Sequence, residues 1–423
     1  MKKIVSLILV ALLIFSAFVF TGCGSINDSE VAILWSGEGE VKSPNSLINS
    51  MDRAMYIENI SYAHYGANFD VEKQLSQAKQ AIDKGCDALL VELISPIIAE
   101  QIVEAAKAKD IPIVFFNSFA VDEAITKTYD KCAVVSPALD TIPDVQGGII
   151  ADYIKDNFKA LDKNADGKIS YVAYGTGIIS TSAAVEKANE LLATKDYTVK
   201  TADKKKINTS VVFYDEKNAL KTLSPVGAGA IQVSIMEKDA NAVELVITES
   251  DIVAFDVLSA IQKKDYNTNK LTTNFVPIFT VGETMDYKAH VLAGRPEIPE
   301  DLVIKDGDSD KVIKEKNKAI KKIEELNKYY AANAFLVDLT TVDESELDEM
   351  IYTTLNVIDS GRISGTVIND NDTIAVSVAT IVKNFIKGKG AFDGVASEVK
   401  DGEVPTVVIE GSVAWVRFAS YTN

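Results

Sequence analysis

The chain has 423 residues, 47% hydrophobic and 25% charged, enough to bury a large core without a disulfide framework. Its 61 Asp and Glu against 43 Lys and Arg give a net charge of −18, and no basic run with interleaved aromatics offsets it, which argues against a nucleic-acid partner. Two His in all, His64 and His290, argue against a His-rich zinc site or a His-based catalytic triad.

Met1-Lys2-Lys3, an apolar run from Ile4 to Phe20 and the end Phe20-Thr21-Gly22-Cys23 have the form of a lipoprotein leader. Residues 1–22 would be removed and Cys23 acylated, leaving the body anchored outside the cell membrane. Phe20 stands where Leu is usual, and the run is close to the lower limit for a bilayer span, so a transmembrane anchor is the other reading. Cys86 and Cys132 each begin an apolar run and suit buried free thiols, with a bridge between them left open.

Beyond a polar tether, Val31 to Trp35 reads as a strand, followed by a Gly/Glu/Ser/Pro loop through Pro44. A helix from about Ser46 leads to a strand near Ile60 to Ala63. Asp70 is placed to cap a helix whose Val71, Leu75, Ala78 and Ile82 recur at helical spacing, and Gly85 to end it. The unit repeats as strand Cys86–Leu93, a helix with Ile98, Ile102 and Ala105 on one face, and strand Ile111–Phe116. This alternation predicts a parallel sheet covered on both faces, with ligands beyond the carboxyl ends of its strands. Asn117 stands at such an end, where a plain turn residue would serve equally. Cys132–Val135 is a further strand, Pro137 a crossing between lobes, and Val145–Phe158 a helix.

That helix runs into Asp162-Lys163-Asn164-Ala165-Asp166-Gly167-Lys168-Ile169-Ser170, a sequence with calcium-loop spacing. Asp162, Asn164 and Asp166 offer oxygens at positions one, three and five, Gly167 the turn, Lys168 a carbonyl and Ser170 position nine. Position twelve is Ala173 and lacks the bidentate Glu, so the last carboxylate must come from elsewhere. The same residues also suit a polar turn between a helix and a strand.

A second lobe follows: strand Lys168–Ala173, helix Ser182–Ala193, strand Ser210–Tyr214, helix Val226–Met236, strand Val243–Ile247, helix Ile252–Ile261 and strand Val276–Val281. From about Glu283 to Glu344 the alternation gives way to a charged insertion. Within it Lys311–Tyr330 suits a solvent-exposed helix of an accessory hairpin, or a docking surface for another protein. Ser345–Asp359 reads as a helix with Gly361 past its end. Gly365–Asp370, a long helix to Lys387, and the strands Thr406–Ile409 and Val413–Phe418 close the chain.

Four stretches together resemble the type I periplasmic sugar-binding proteins, and among them the calcium-containing glucose/galactose-binding group. They are Ile113–Asn117, Tyr129-Asp130-Lys131, the calcium loop, and Gly365–Asp370 through Gly388-Lys389-Gly390. The resemblance implies an α/β fold of two similar doubly wound parallel-sheet lobes, joined by three crossovers, with a ligand cleft between them. The lobes would be 23–137 plus 370–403 and 138–369 plus 404–423, with hinges near 136–140, 369–371 and 403–406.

The resemblance also implies a structural Ca2+ held by the 162–170 loop and by Glu244, which matches the family's late bidentate Glu. Asn117 and Asn369 match sugar-binding positions of the two lobes, and Glu40 falls near the family's first-loop Asp. Elsewhere the pattern departs. Tyr174–Thr181 lacks the family's His/Asp/Arg cluster, the stacking Trp is absent near Thr222-Leu223, Ser250 stands for an Asn, and Gly282 for the strand-end Asp, which Asp338 would replace under another alignment. Trp35 is a substitute stacking face or a core residue; Asp251 reads as a helix cap, and Glu249 would favour a polyhydroxyl or cationic ligand.

The expectation is a monomeric extracytoplasmic lipoprotein that captures a monosaccharide, galactose- or glucose-like, for an ABC permease, without catalysis. A sensor subunit of a membrane receptor, or a binder of a non-sugar solute, is the alternative. No acid/base pair, nucleophile with its base or phosphate loop points to an enzyme.

Overall fold

The computed structural model describes residues 30–37, 47–118, 121–177, 180–201, 204–215, 217, 221–268, 274–282, 287–292, 302–305, 308–309, 311–321, 347–352, 354–395 and 405–422. Residues 1–22, where a leader is expected, Cys23, Glu40, Asp338 and Ser345 lie outside them, as does most of the 283–344 segment.

In chain order, apolar runs form the strands β1 (Val31–Trp35), β2 (Tyr62–Gly66), β3 (Ala88–Val91), β4 (Ile113–Phe116) and β5 (Cys132–Ala138). The second set is β6 (Ile169–Tyr174), the short β7 (Val199–Lys200) and β8 (Lys206–Ile207), β9 (Val211–Phe213), β10 (Leu245–Thr248) and β11 (Ile278–Val281). The chain then makes β12 (Tyr287–Leu292), β13 (Leu347–Tyr352), β14 (Gly365–Ile368), β15 (Val407–Glu410), β16 (Val413–Arg417) and β17 (Ala419–Thr422).

Two units result. The first takes the chain up to Pro137 and Asn371–Val416, and the second Ala138–Asp370 with Arg417–Asn423. The third crossing thus lies after Val416 and not at 403–406. The reason is pairing: β15 and β16 form an antiparallel hairpin that extends the first sheet, and only β17 belongs to the second.

The first sheet runs β15-β16-β5-β4-β3-β1-β2, with β2, β1, β3, β4 and β5 parallel to their neighbours. Because successive side chains of a strand point to opposite faces, Val31, Ile33 and Trp35 enter one core and Ala32 and Leu34 the other. Helices Leu47–Ile57 and Asn371–Ile386 cover the first face with Met51, Met55, Ile374 and Val378; Val71–Lys84 and Ala99–Ala108 cover the second with Ala78, Ile82, Ile102 and Val103. The Asp70 cap forms as expected, its carboxylate accepting from Lys73 N–H at 2.9 Å, and Gly85 ends the helix at φ 79°. The second strand lies later than expected, at Tyr62–Gly66, where it pairs residue for residue with β1.

The second sheet runs β17-β14-β11-β10-β6-β9, parallel except for β17 against β14. Helices Ile142–Leu161 and Thr181–Leu192 pack on one face, and Ala228–Lys238, Asp251–Gln262 and Thr354–Asp359 on the other. Gly147 permits the close approach of the first two, since a Cβ there would lie 2.5 Å from the Ala184 carbonyl oxygen.

The helix expected over Ser345–Asp359 is corrected by the structure: Leu347–Tyr352 is a strand, and the helix begins at Thr354. β13 pairs antiparallel with β12, from Leu292 opposite Leu347 to Tyr287 opposite Tyr352, so a distant partner overrides local helical spacing. Residues 311–321 are helical and largely exposed, as expected, with Val312 on the exposed side.

Candidate functional site

In the first unit the polar groups gather at the carboxyl ends of β1, β3 and β4. Ser36, Glu92 and Asn117 follow directly on those neighbouring strands, so sheet pairing alone brings them together. Glu92 Oε2 accepts from the Ser36 N–H at 3.1 Å and hydroxyl at 2.6 Å, and Glu92 Oε1 from Asn117 Nδ2 at 2.7 Å. Asn117 holds φ 49°, a left-handed conformation that Asn tolerates better than most residues. Its N–H is donated to the Val135 carbonyl.

Trp35 is corrected as a stacking face. It is only 3% exposed, packs edge-on to Phe116, and donates its indole N–H to His64 Nδ1 at 2.8 Å. The physical reason is its position on β1, which turns the side chain into the helix-covered core.

In the second unit the expected residues also lie at carboxyl ends. Glu249, Ser250 and Asp251 follow β10, Gly282 follows β11, and Asn369 follows β14. Glu249 Oε2 accepts from the Thr176 hydroxyl at 3.2 Å and the Gly177 N–H at 3.3 Å, in the loop after β6. Ser250, with φ −154°, takes the N-cap position without a side-chain cap bond, so Asp251 is the first helical residue and not the cap. Asn369 Oδ1 and Gln146 Oε1 are buried without a hydrogen-bond partner, and Gln146 Nε2 donates to the Thr248 carbonyl at the end of β10.

Gly282 has a specific role in this arrangement. It holds φ 114°, and a Cβ there would meet the Asp251 carboxylate at 2.9–3.0 Å. The Asp251 carboxylate, 5% exposed, therefore lies against the space that a side chain at 282 would occupy.

The calcium-type loop folds on its own polar atoms. Asn164 Oδ1 accepts from Asp166 N–H at 2.9 Å, Asp166 Oδ1 from Lys168 N–H at 2.8 Å, and Asp162 Oδ2 from Gly167 N–H at 3.3 Å, with Gly167 at φ 82°. Glu244, one residue ahead of β10 and fully buried, accepts from Lys163 N–H at 2.7 Å and from Ser170 N–H and hydroxyl at 2.9 and 3.1 Å. Burial pushes the Glu244 carboxyl up, against the hydrogen bonds from Ser170 and Lys163. Burial likewise pushes the Lys163 amine down, partly offset by Glu244.

Among the described residues no three His, Cys, Asp or Glu side chains converge as a metal-binding group. Glu244 turns toward the loop's own donors. Asp162 Oδ1, however, is buried with no hydrogen-bond partner, an acceptor of the kind that a hard cation satisfies.

Sequence reasoning missed Glu92 and the placement of Asp251. For Glu92 the signal was a carboxylate directly after the apolar run ending at Val91. A cavity of about 280 Å³ lined by Thr126, Tyr129, Asp130, Phe392 and Ser412 lies at the amino end of β5, away from the Glu92–Asn117 pair.

The family model for the periplasmic binding protein domain matches residues 48–296. A D-galactose/methyl-galactoside binding periplasmic protein, MglB, of Haemophilus influenzae is 24% identical over 328 residues, 78% of this chain and 72% of that protein. Among solved structures, a XylFII-LytSN complex gives TM-score 0.49 at 12% identity over 94% of this chain and 98% of that chain. A periplasmic ribose ABC transporter structure from Conexibacter woesei gives 0.47 at 12% identity over 95% and 94%. These structural fits are loose; the match through more than half of the sequence is what decides, and this chain belongs to the periplasmic binding protein domain family.

Proposed function

We propose that the protein is an extracytoplasmic binder of a small carbohydrate, galactose- or glucose-like, which it delivers to an ABC permease. The observation that carries this reading is the set of acceptor-rich side chains at the carboxyl ends of both parallel sheets: Asn117 beside Glu92 in one unit, and Glu249, Asp251 and Asn369 in the other. Sugar hydroxyls donate to such groups. The likeness to a galactose-binding periplasmic protein supports the same ligand class. The reading involves no chemical step, and Cys23 is the proposed site of lipid anchoring.

Calcium is proposed as a structural ion, held by Asp162, Asn164, Asp166, the Lys168 carbonyl, Ser170 and Glu244. Its charge would stabilise the buried carboxylates of Asp162 and Glu244 and tie the loop to the start of β10. Asp162 and Asn164 would position the loop, and Glu244 would be held deprotonated.

Thermal unfolding of the chain from residue 24 onward, with a panel of mono- and disaccharides and with calcium or chelator, tests both parts. A ligand at about a hundred times its Kd adds roughly 2.7 kcal/mol to the folded state, a visible rise in Tm. No response to any sugar would overturn the carbohydrate reading and leave the calcium result to be read separately.

A further inference from the structure

The Asn117 side chain has one chemically consistent orientation. Its Nδ2 lies 2.7 Å from Glu92 Oε1, and a carboxylate accepts without donating, so the amide nitrogen faces Glu92. Oδ1 is then the end of Asn117 that remains for another molecule. Glu92 is itself held by donors on the other side, the Ser36 N–H and hydroxyl on Oε2. The Ser36 backbone N–H cannot reverse its polarity. Bonding to a charged carboxylate also polarises the amide and strengthens its carbonyl as an acceptor.

We propose that Glu92 is a positioning residue that sets the hydrogen-bond polarity of this corner of the solute site: it holds Asn117 with Oδ1 outward, so the solute must present a hydroxyl that donates there. The inference rests on the carbohydrate reading above and narrows it. A sugar is selected at this point by a donor proton and not merely by the presence of an oxygen.

Glu92→Gln tests the polarity directly. The Ser36 N–H requires an acceptor, so the carbonyl oxygen of the introduced amide turns to Ser36 and its nitrogen faces Asn117. Asn117 then reverses, with Oδ1 toward that nitrogen and Nδ2 toward the solute. The site changes from acceptor to donor with almost no change in shape.

The probes are D-galactose and its monodeoxyfluoro analogues, since fluorine accepts weakly and never donates. Calorimetry on the purified protein is expected to find one analogue bound ~10- to 100-fold more weakly than galactose, as for loss of a hydrogen bond within a charged network. In Glu92→Gln galactose itself weakens about tenfold and that analogue's penalty shrinks to about twofold or less. Glu92→Asp remains acceptor-only and keeps the wild-type ranking of analogues, which serves if the Gln variant does not fold.

An independent readout needs no ligand. In nitrogen-15 NMR spectra the Asn117 side-chain amide, assigned by its loss in Asn117→Asp, shows a nuclear Overhauser contact to the Glu92 methylenes that disappears in Glu92→Gln. Absence of that contact in the wild type, its persistence in folded Glu92→Gln, or an unchanged analogue ranking in that variant or a changed one in Glu92→Asp overturns the proposal. If galactose does not bind while the contact is present, the galactose-like part of the reading fails and the positioning role stands on the amide contact.

Discussion

The indole Nε1 of Trp35 donates to Nδ1 of His64 at 2.8 Å, and this orients the imidazole. Indole only donates, so Nδ1 is the bare nitrogen and the ring proton sits on Nε2, which lies 2.7 Å from Asp52 Oδ1. Trp35 immediately precedes Ser36, so this partly buried relay anchors the strand end from which the Glu92–Asn117 pair is built.

Asp52 makes the relay sensitive to acid. Burial works to raise its carboxyl, but hydrogen bonds from His64 and Tyr62 outweigh it and hold the group below the usual carboxylate range. A carboxylate with a depressed folded value contributes stability that is present above its unfolded value and is lost as pH falls through the folded one. Asp52→Asn is therefore expected to flatten the acid limb of stability against pH, read from urea midpoints. An acid limb identical to the wild type would count against the relay.

Glu244 has the opposite sign. Its folded value is raised by burial, so in chelator stability falls as pH rises from the ordinary glutamate range through the raised value, and calcium restores it there. Glu244→Gln should remove both the fall and the calcium response in thermal unfolding. Asp162→Asn, which removes the carboxylate bearing the orphaned oxygen, should remove the calcium response alone. A full calcium shift in either variant would disprove these ligands.

Gly282→Ala is expected to destabilise the protein by about 1–3 kcal/mol, because φ 114° is strained for an L side chain and the new methyl meets the Asp251 carboxylate. Denaturant unfolding measures the loss. The same change should weaken sugar binding, since Asp251 must move; unaltered affinity would remove Asp251 from the site.

The pairing of Leu292 with Leu347 makes a further prediction. Replacing residues 293–346 by a two-residue Asn-Gly turn closes β12 and β13 into an ordinary hairpin. The shortened protein is expected to keep its circular dichroism and its Tm response to sugar. Loss of either would show that the excised segment serves the binding unit.

Local chemistry was legible in the sequence. Asp70 and Gly85 bound their helix because capping is decided by the residue at the cap, and the apolar runs of β1, β3 and β4 declared a buried parallel sheet because both of its faces are covered. The loop from Asp162 to Ser170 was equally readable, its polar spacing being a property of one short stretch. Non-local pairing was not. Leu347–Tyr352 has helical spacing and becomes a strand only because Tyr287–Leu292 lies beside it, and the hairpin Val407–Arg417 joined the first sheet through partners far back in the chain.

The same division runs through the site. By itself the sequence determined that Asn117 stands at the carboxyl end of a strand, since a strand and its end are local; Asn369 was marked only by the family resemblance. That Trp35 is core, that Asp251 fills the place beside Gly282, and that Glu92 orients Asn117 were decided only by tertiary structure. Each depends on which strands are neighbours, and adjacency in a parallel sheet is set by crossovers that no short stretch of residues encodes.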